Sequence, residues 1–237
     1  MDNLGLPTPS LFIGNNLLAI QQYKTIIFDC DGVVLDSNVV KTEAYFRTAK
    51  NLGATDAQAK ALVDYHVKLG GISRYYKFDW YVREVLQKPA TKEAIQTFLD
   101  EFSRELEVSL MQCNMAKGLF DLRAQIPHAN WLILSGGDQQ EIRDLFVKRK
   151  LAHLFNGGLF GSPDNKHEVL AREKENGNIQ LPALFIGDAK YDFEAASAAN
   201  IDFLFLSAWT EVGDWQEFTA KNHIVTLESI HDLLMAQ

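Results

Sequence analysis

Apolar residues follow two different rhythms along this chain. From Tyr23 to Phe28 a short run rich in β-branched residues stops at Asp29, the pattern of a strand buried in a parallel sheet. From Asn38 to about Cys113 apolar residues recur at helical spacing, proline is nearly absent and no strand-like run occurs. That stretch predicts four helices, at about 38–51, 56–68, 73–87 and 91–112, punctuated by Gly53, Gly70-Gly71 and Pro89. After Gly118 strands and helices alternate. Trp131 to Leu134 reads as a strand running into Ser135-Gly136-Gly137, followed by helices at 138–150 and 166–176. Ala183 to Ile186 reads as a strand ending at Gly187-Asp188, then come a helix from Tyr191 to Ala199, a strand from Phe203 to Leu206 and a last helix at 227–235.

This alternation predicts an α/β fold with a doubly wound parallel sheet, formed by residues 23–37 and 114–237. The helical stretch at 38–113 is then an all-α domain inserted after the first strand, and residues 1–22 an N-terminal extension packed on the body.

Composition narrows the function. With 47% hydrophobic and 23% charged residues in 237, the chain suits one or two globular domains and excludes a disordered or collagen-like protein. A net charge of -8 argues against nucleic acid and anionic membranes as partners. No apolar run is long enough to span a bilayer. Cys30 and Cys113 are too far apart in sequence for a disulfide framework or zinc cluster, and the start lacks a basic signal-peptide region. A cytoplasmic protein is expected.

In open α/β sheets ligands sit beyond the carboxyl ends of the strands. Asp29 and Asp31 follow the first strand, Ser135 and Gly136 the second, Lys166 opens a helix, and Asp188 ends another strand with Asp192 four residues on. Carboxylates gathered on one edge repel one another unless a cation binds, and oxygen ligands favour Mg²⁺ over zinc.

Phe28-Asp29-Cys30-Asp31-Gly32-Val33-Val34-Leu35-Asp36-Ser37 resembles the first signature of the haloacid dehalogenase-like hydrolases. Leu134-Ser135-Gly136 resembles the second, Lys166 in Gly161-Ser162-Pro163-Asp164-Asn165-Lys166 the third, and Gly187-Asp188-Ala189-Lys190-Tyr191-Asp192 the fourth. The resemblance covers roughly residues 23–210 and implies a Rossmann-like core with a helical cap, as in the phosphoglycolate-phosphatase-like subclass. It implies Asp29 as nucleophile, Asp31 as general acid/base, and Mg²⁺ on the Asp29 carboxylate, the Asp31 carbonyl and Asp188. Ser135, Lys166 and the Gly136 amide would bind the phosphoryl group of a small phosphorylated metabolite. Asp192 would either join the metal site or hold Lys166.

Within the cap stretch, Arg74 and Tyr75 follow Gly70-Gly71 and are candidates for reading the leaving group, Arg74 by clamping an anion. Lys68, Lys77 and Arg83 read as a solvated face, and His66 as surface or helix packing. Asp36 and Ser37 read as caps of the first helix. The leading expectation is a phosphatase acting on a sugar or acid phosphate. A phosphomutase is the nearest rival, followed by a non-catalytic module. Asp31 argues against a dehalogenase or a phosphonate hydrolase, and oligomeric state stays open.

Overall fold

A computed structural model describes residues 12–13, 16–17 and 20–235. Its centre is a six-stranded, wholly parallel sheet: β1 (Thr25–Phe28), β2 (Asn130–Asp138), β3 (Gly158–Ser162), β4 (Ala183–Gly187), β5 (Asp202–Leu206) and β6 (Val225–Leu227), in the order β3-β2-β1-β4-β5-β6. Side chains alternate across it. Ile26 and Phe28 of β1 enter one core with Trp131, Ile133, Leu184 and Ile186, while Ile27 enters the opposite core with Leu132, Leu134 and Phe185. Both faces are therefore buried, and the apolar runs are nearly continuous.

Ten helices accompany the sheet. Four stand between β1 and β2: α1 (Asn38–Asn51), α2 (Asp56–Lys68), α3 (Arg74–Trp80), which continues as a π-helical turn over Tyr81–Val85, and α4 (Lys92–Gln112). Then come α5 (Leu119–Gln125), α6 (Gln139–Lys148), α7 (Lys166–Glu175), α8 (Lys190–Ala198), α9 (Trp215–Lys221) and α10 (Ile230–Met235). No described helix is long and apolar enough to cross a membrane.

The expected doubly wound α/β architecture is observed, with local corrections. Strand β3 was not expected, because Gly-Leu-Phe-Gly-Ser lacks a sustained apolar run. Its glycine is there for contact: a Cβ on Gly161 would stand 2.5 Å from the Gly137 carbonyl oxygen of β2. The expected last helix starts three residues late, at Ile230, because Leu227 belongs to β6. Helices α5 and α9 are short and went unforeseen. In the N-terminal segment, Phe12–Ile13 pairs antiparallel with Asn16–Leu17, and Ile20 is buried in the core. The expected packing of the remainder of residues 1–22 lies outside the described residues.

Strand β1 is central. The chain proceeds from it to β2 and β3 on one side, then crosses to β4, β5 and β6 on the other. The carboxyl ends of β1 and β4 thus adjoin at the switch in winding direction, where such sheets open a crevice.

Candidate active site

Asp29 follows β1 and is buried at 3% exposure. Its Oδ1 accepts the Cys30 backbone N–H at 2.7 Å, and its Oδ2 lies 3.0 Å from Lys166 Nζ. Cys30 itself packs into the core, as expected. Lys166 is the first residue of α7. Its position is fixed by a capping box in which Asn165 accepts the Glu168 N–H and Glu168 accepts the Asn165 N–H. The Lys166 ammonium is also paired with Asp192 Oδ1, and Asp192 Oδ2 accepts the backbone N–H groups of Asp188 at 3.2 Å and Ala189 at 3.1 Å. Asp192 thus holds Lys166 and the turn after β4.

Asp188 ends that strand, and its Oδ2 accepts a hydrogen bond from Asn38 Nδ2 at 2.7 Å. Gly32 makes room for it: φ is +76°, and a Cβ there would stand 2.0 Å from Asp188 Oδ2. Carboxylate oxygens of Asp29, Asp188 and Asp192, one from each, lie within 4.8 Å of one another.

Asp31 is handled differently. Lys41 Nζ of α1 donates to its Oδ2 at 2.5 Å, Ser37 Oγ to its Oδ1 at 2.6 Å, and Ser135 Oγ to Oδ2 at 3.4 Å. Ser37 stands at the N-cap of α1 but makes no side-chain capping bond, which corrects the expected role. Its hydroxyl serves Asp31 instead. Asp36 Oδ2 accepts from Asn114 Nδ2 at 3.3 Å.

The electrostatics separate these groups. Burial raises the Asp29 carboxyl to about 7 against the pull of Lys166, with the Asp192 and Asp31 charges adding to the rise. Burial, then Asp29 and Asp192, push Asp188 well above the usual carboxylate range. Burial would also raise Asp31, but the Lys41 charge and the hydrogen bonds from Lys41 and Ser37 outweigh it and hold it low. For Lys166 burial opposes the charge, and Asp192 and Asp29 more than restore it. Asp29 and Asp188 are thus buried carboxylates sharing too little positive charge. This oxygen donor set fits a hard divalent cation such as Mg²⁺.

A cavity of ≈ 60 Å³ lies over this edge. Asp29, Asp31, Gly136 and Asp188 line it from the sheet side, and Gly71, Arg74 and Lys77 from the inserted helices. A second cavity of ≈ 560 Å³ adjoins it, lined by Ser135, Lys166, Tyr75 and Tyr191 among others. The two share Gly71, Ile72 and Gly136 in their walls. The carboxylates therefore open to one cavity, and Ser135 and Lys166 to its neighbour.

Arg74 and Tyr75 both reach the core. Arg74 Nη1 pairs with Glu141 Oε2 of α6 at 2.7 Å, its guanidinium stacked over Phe102. Tyr75 donates its hydroxyl to Asp138 Oδ2 at 2.8 Å, and Asp138 caps α6. Ser162 Oγ donates to Ser73 Oγ at 2.7 Å. These contacts anchor the start of α3 on the sheet edge.

Four residues of the site escaped the sequence reading. Asn38 and Lys41 engage the two outer aspartates. Lys77 is not on a solvated face but buried at 2% exposure, and His66 packs beside it in the same cavity wall. The signal was present as periodicity. Arg74, Lys77 and Phe78 form the buried face of α3, and Lys41, Ala44 and Tyr45 that of α1.

A parallel sheet that gathers buried carboxylates, a lysine and a hydroxyl at its carboxyl edge is the architecture of an α/β enzyme. More narrowly, residues 23–200 match the family model for haloacid dehalogenase-like hydrolases, and the chain belongs to that family of hydrolases. Solved structures share its fold. A predicted phosphatase from Clostridium acetobutylicum is 18% identical with a TM-score of 0.69, over 89% of this chain and 96% of that one. A haloacid dehalogenase-like family protein from Streptococcus pneumoniae is 19% identical with a TM-score of 0.65, over 91% and 99%. A predicted phosphoglycolate phosphatase from Haemophilus somnus is 19% identical with a TM-score of 0.60, over 78% and 85%. None of the curated proteins matches the chain.

Proposed function

We propose that this hydrolase is a Mg²⁺-dependent phosphatase for a small phosphomonoester, working through an aspartyl-phosphate on Asp29. The observation that carries the proposal is the buried Asp29, held between the Cys30 amide and Lys166, with Asp31 and Asp188 lining the same small cavity. The phosphatase and phosphoglycolate-phosphatase descriptions of structural neighbours agree with it.

In this reading residues 38–113 are a cap over the core formed by 23–37 and 114–237. Asp29, Asp188 and the Asp31 backbone carbonyl hold Mg²⁺, which supplies charge neutralisation between the anionic ester and the anionic nucleophile. Asp29 attacks phosphorus and the ester oxygen leaves. Asp31 gives that oxygen a proton, then takes one from the water that hydrolyses the acyl phosphate. Lys166, Ser135 and the Gly136 amide bind the phosphoryl oxygens, where charge resides in the transition state. Asp192 keeps Lys166 aimed at Asp29. Arg74 and Tyr75 hold the cap on the core through Glu141 and Asp138.

The test is phosphate release from a panel of sugar and carboxylic-acid phosphates, with Mg²⁺ and with EDTA. Metal-dependent release is expected, and Asp31→Asn should reduce it by roughly 10²–10⁴-fold. Undiminished turnover in EDTA would overturn the metal assignment, and undiminished turnover by Asp31→Asn the acid/base role. A requirement for a bisphosphate activator would point instead to a phosphomutase.

A further inference from the structure

Three cationic side chains line the catalytic cavity: Lys41, Arg74 and Lys77. Two are already neutralised, Lys41 by Asp31 and Arg74 by Glu141. Lys77 is not. Among the described residues no carboxylate lies within ion-pair distance of its ammonium. Its partners are His66 Nδ1 at 2.9 Å and the face of Tyr45, whose ring centroid is 5.8 Å away.

A buried cation without a counter-ion is costly, and apolar replacements of similar volume are readily accommodated. Burial, followed by the nearby Lys41 charge, lowers the Lys77 amine to about 7. Asp31 and Glu211 act in the opposite sense without cancelling this, and Arg74 adds to the fall. A methionine would fill the space more cheaply, so a lysine here is suited to meet an anion that arrives.

His66 supplies a second, independent sign. With Lys77 donating to Nδ1, the ring proton sits on Nε2. That atom is buried and has no hydrogen-bond partner. Glu211 Oε2 is 3.9 Å from it, too far for a hydrogen bond, and accepts instead from Thr42 Oγ1 at 3.0 Å. Four described side chains carry such an orphaned buried atom, and of these His66 alone lines the catalytic cavity.

We propose that Lys77 and His66 Nε2 form a carboxylate subsite for the leaving-group end of the substrate, so that the ester hydrolysed is the phosphate of a short hydroxy acid. The proposal rests on the phosphatase reading above and narrows its substrate class. The small cavity favours a two- or three-carbon acid, whose carboxylate reaches the cap wall while its phosphate meets Asp29. Glu211 is the opposing charge in that wall. Burial raises its carboxyl above the usual range, which lessens its repulsion of a second anion.

The experiment compares 2-phosphoglycolate with 2-hydroxyethyl phosphate, matched in size but differing in the carboxylate, in wild type and Lys77→Met. Wild type should favour the acid ester by at least about tenfold in kcat/KM. Lys77→Met should lose about 10- to 100-fold on the acid ester, chiefly through KM, and leave the neutral ester unchanged. Its melting temperature should hold or rise, as expected when an unpaired buried charge is removed. Equal losses on both esters, or no preference in wild type, would overturn the subsite. A binding arm keeps this separate from the phosphatase reading. Millimolar glycolate, followed by NMR of the Mg²⁺-loaded protein, should shift signals in wild type and not in Lys77→Met. If neither ester turns over, the phosphatase reading falls, and the glycolate result alone decides the subsite: loss of binding in Lys77→Met sustains it, while absent or equal binding overturns it.

Discussion

Asp29 and Asp31 are two residues apart and sit in opposite electrostatic settings. Asp29 meets its lysine across a deeply buried contact that does not offset desolvation, while Asp31 meets Lys41 and two hydroxyls. In the proposed cycle Asp31 must carry a proton when the alcohol leaves, and Lys41 opposes that protonation. Removing Lys41 leaves burial as the dominant influence and moves the Asp31 pKa upward. In Lys41→Met the decline of kcat/KM at high pH that reports Asp31 should therefore move up by roughly 1–3 pH units. A pH–rate profile checks this, and an unmoved decline would remove Lys41 from the control of Asp31. Residues of this kind were the least legible in the sequence. Asp29, Asp31 and Asp188 stand where apolar strands stop, so their chemistry is exposed by contrast with what precedes them. Lys41 and Lys77 lie inside helices among other charges, where a buried lysine and a solvated one are written alike.

At the scale of elements, the site is closed by contact between two glycines. A Cβ on Gly136 would stand 2.5 Å from the Gly71 carbonyl oxygen and 3.1 Å from that of Ile72. The turn between α2 and α3 can therefore rest on the end of β2, and Ser73, Arg74 and Tyr75 then fasten α3 to the core. Gly136→Ala should force this turn away. It should cost about 1–3 kcal/mol of stability and lower kcat/KM by roughly 10²-fold through misplacement of the cap residues. Gly213→Ala, where a Cβ meets nothing within 4 Å, should leave both unchanged. Denaturant unfolding and steady-state kinetics measure the pair, and equal activity of the two variants would contradict the account. The sequence showed the paired glycines as a break between helices. It could not show what the break touches, because that contact joins positions 65 residues apart. For a related reason β3 was missed: its glycines serve close packing against β2, which erases the apolar signature of a strand.

Over the whole molecule, an acidic protein holds a local reserve of positive charge. The net charge is -8, yet Lys41, Arg74 and Lys77 line the catalytic cavity and Lys166 lies directly behind it. Such a surface discourages polyanions, while the cavity accepts one small anion at a time. The overall architecture was legible because two periodicities, 2 and 3.6, divide the chain cleanly into sheet and insertion. The mutual seating of insertion and sheet was not, since it depends on a few buried polar contacts. The central claim concerns one bond, between Asp29 and phosphorus. Its most direct test is an acid quench of the Asp31→Asn enzyme during turnover of a hydrolysed ester with Mg²⁺, followed by mass spectrometry of the peptide bearing Asp29. The account predicts a phosphoryl adduct on Asp29 that is removed by hydroxylamine and absent from Asp29→Asn. Turnover without any such adduct, in an enzyme that still needs Mg²⁺, would mean that water attacks the ester directly and would contradict the account.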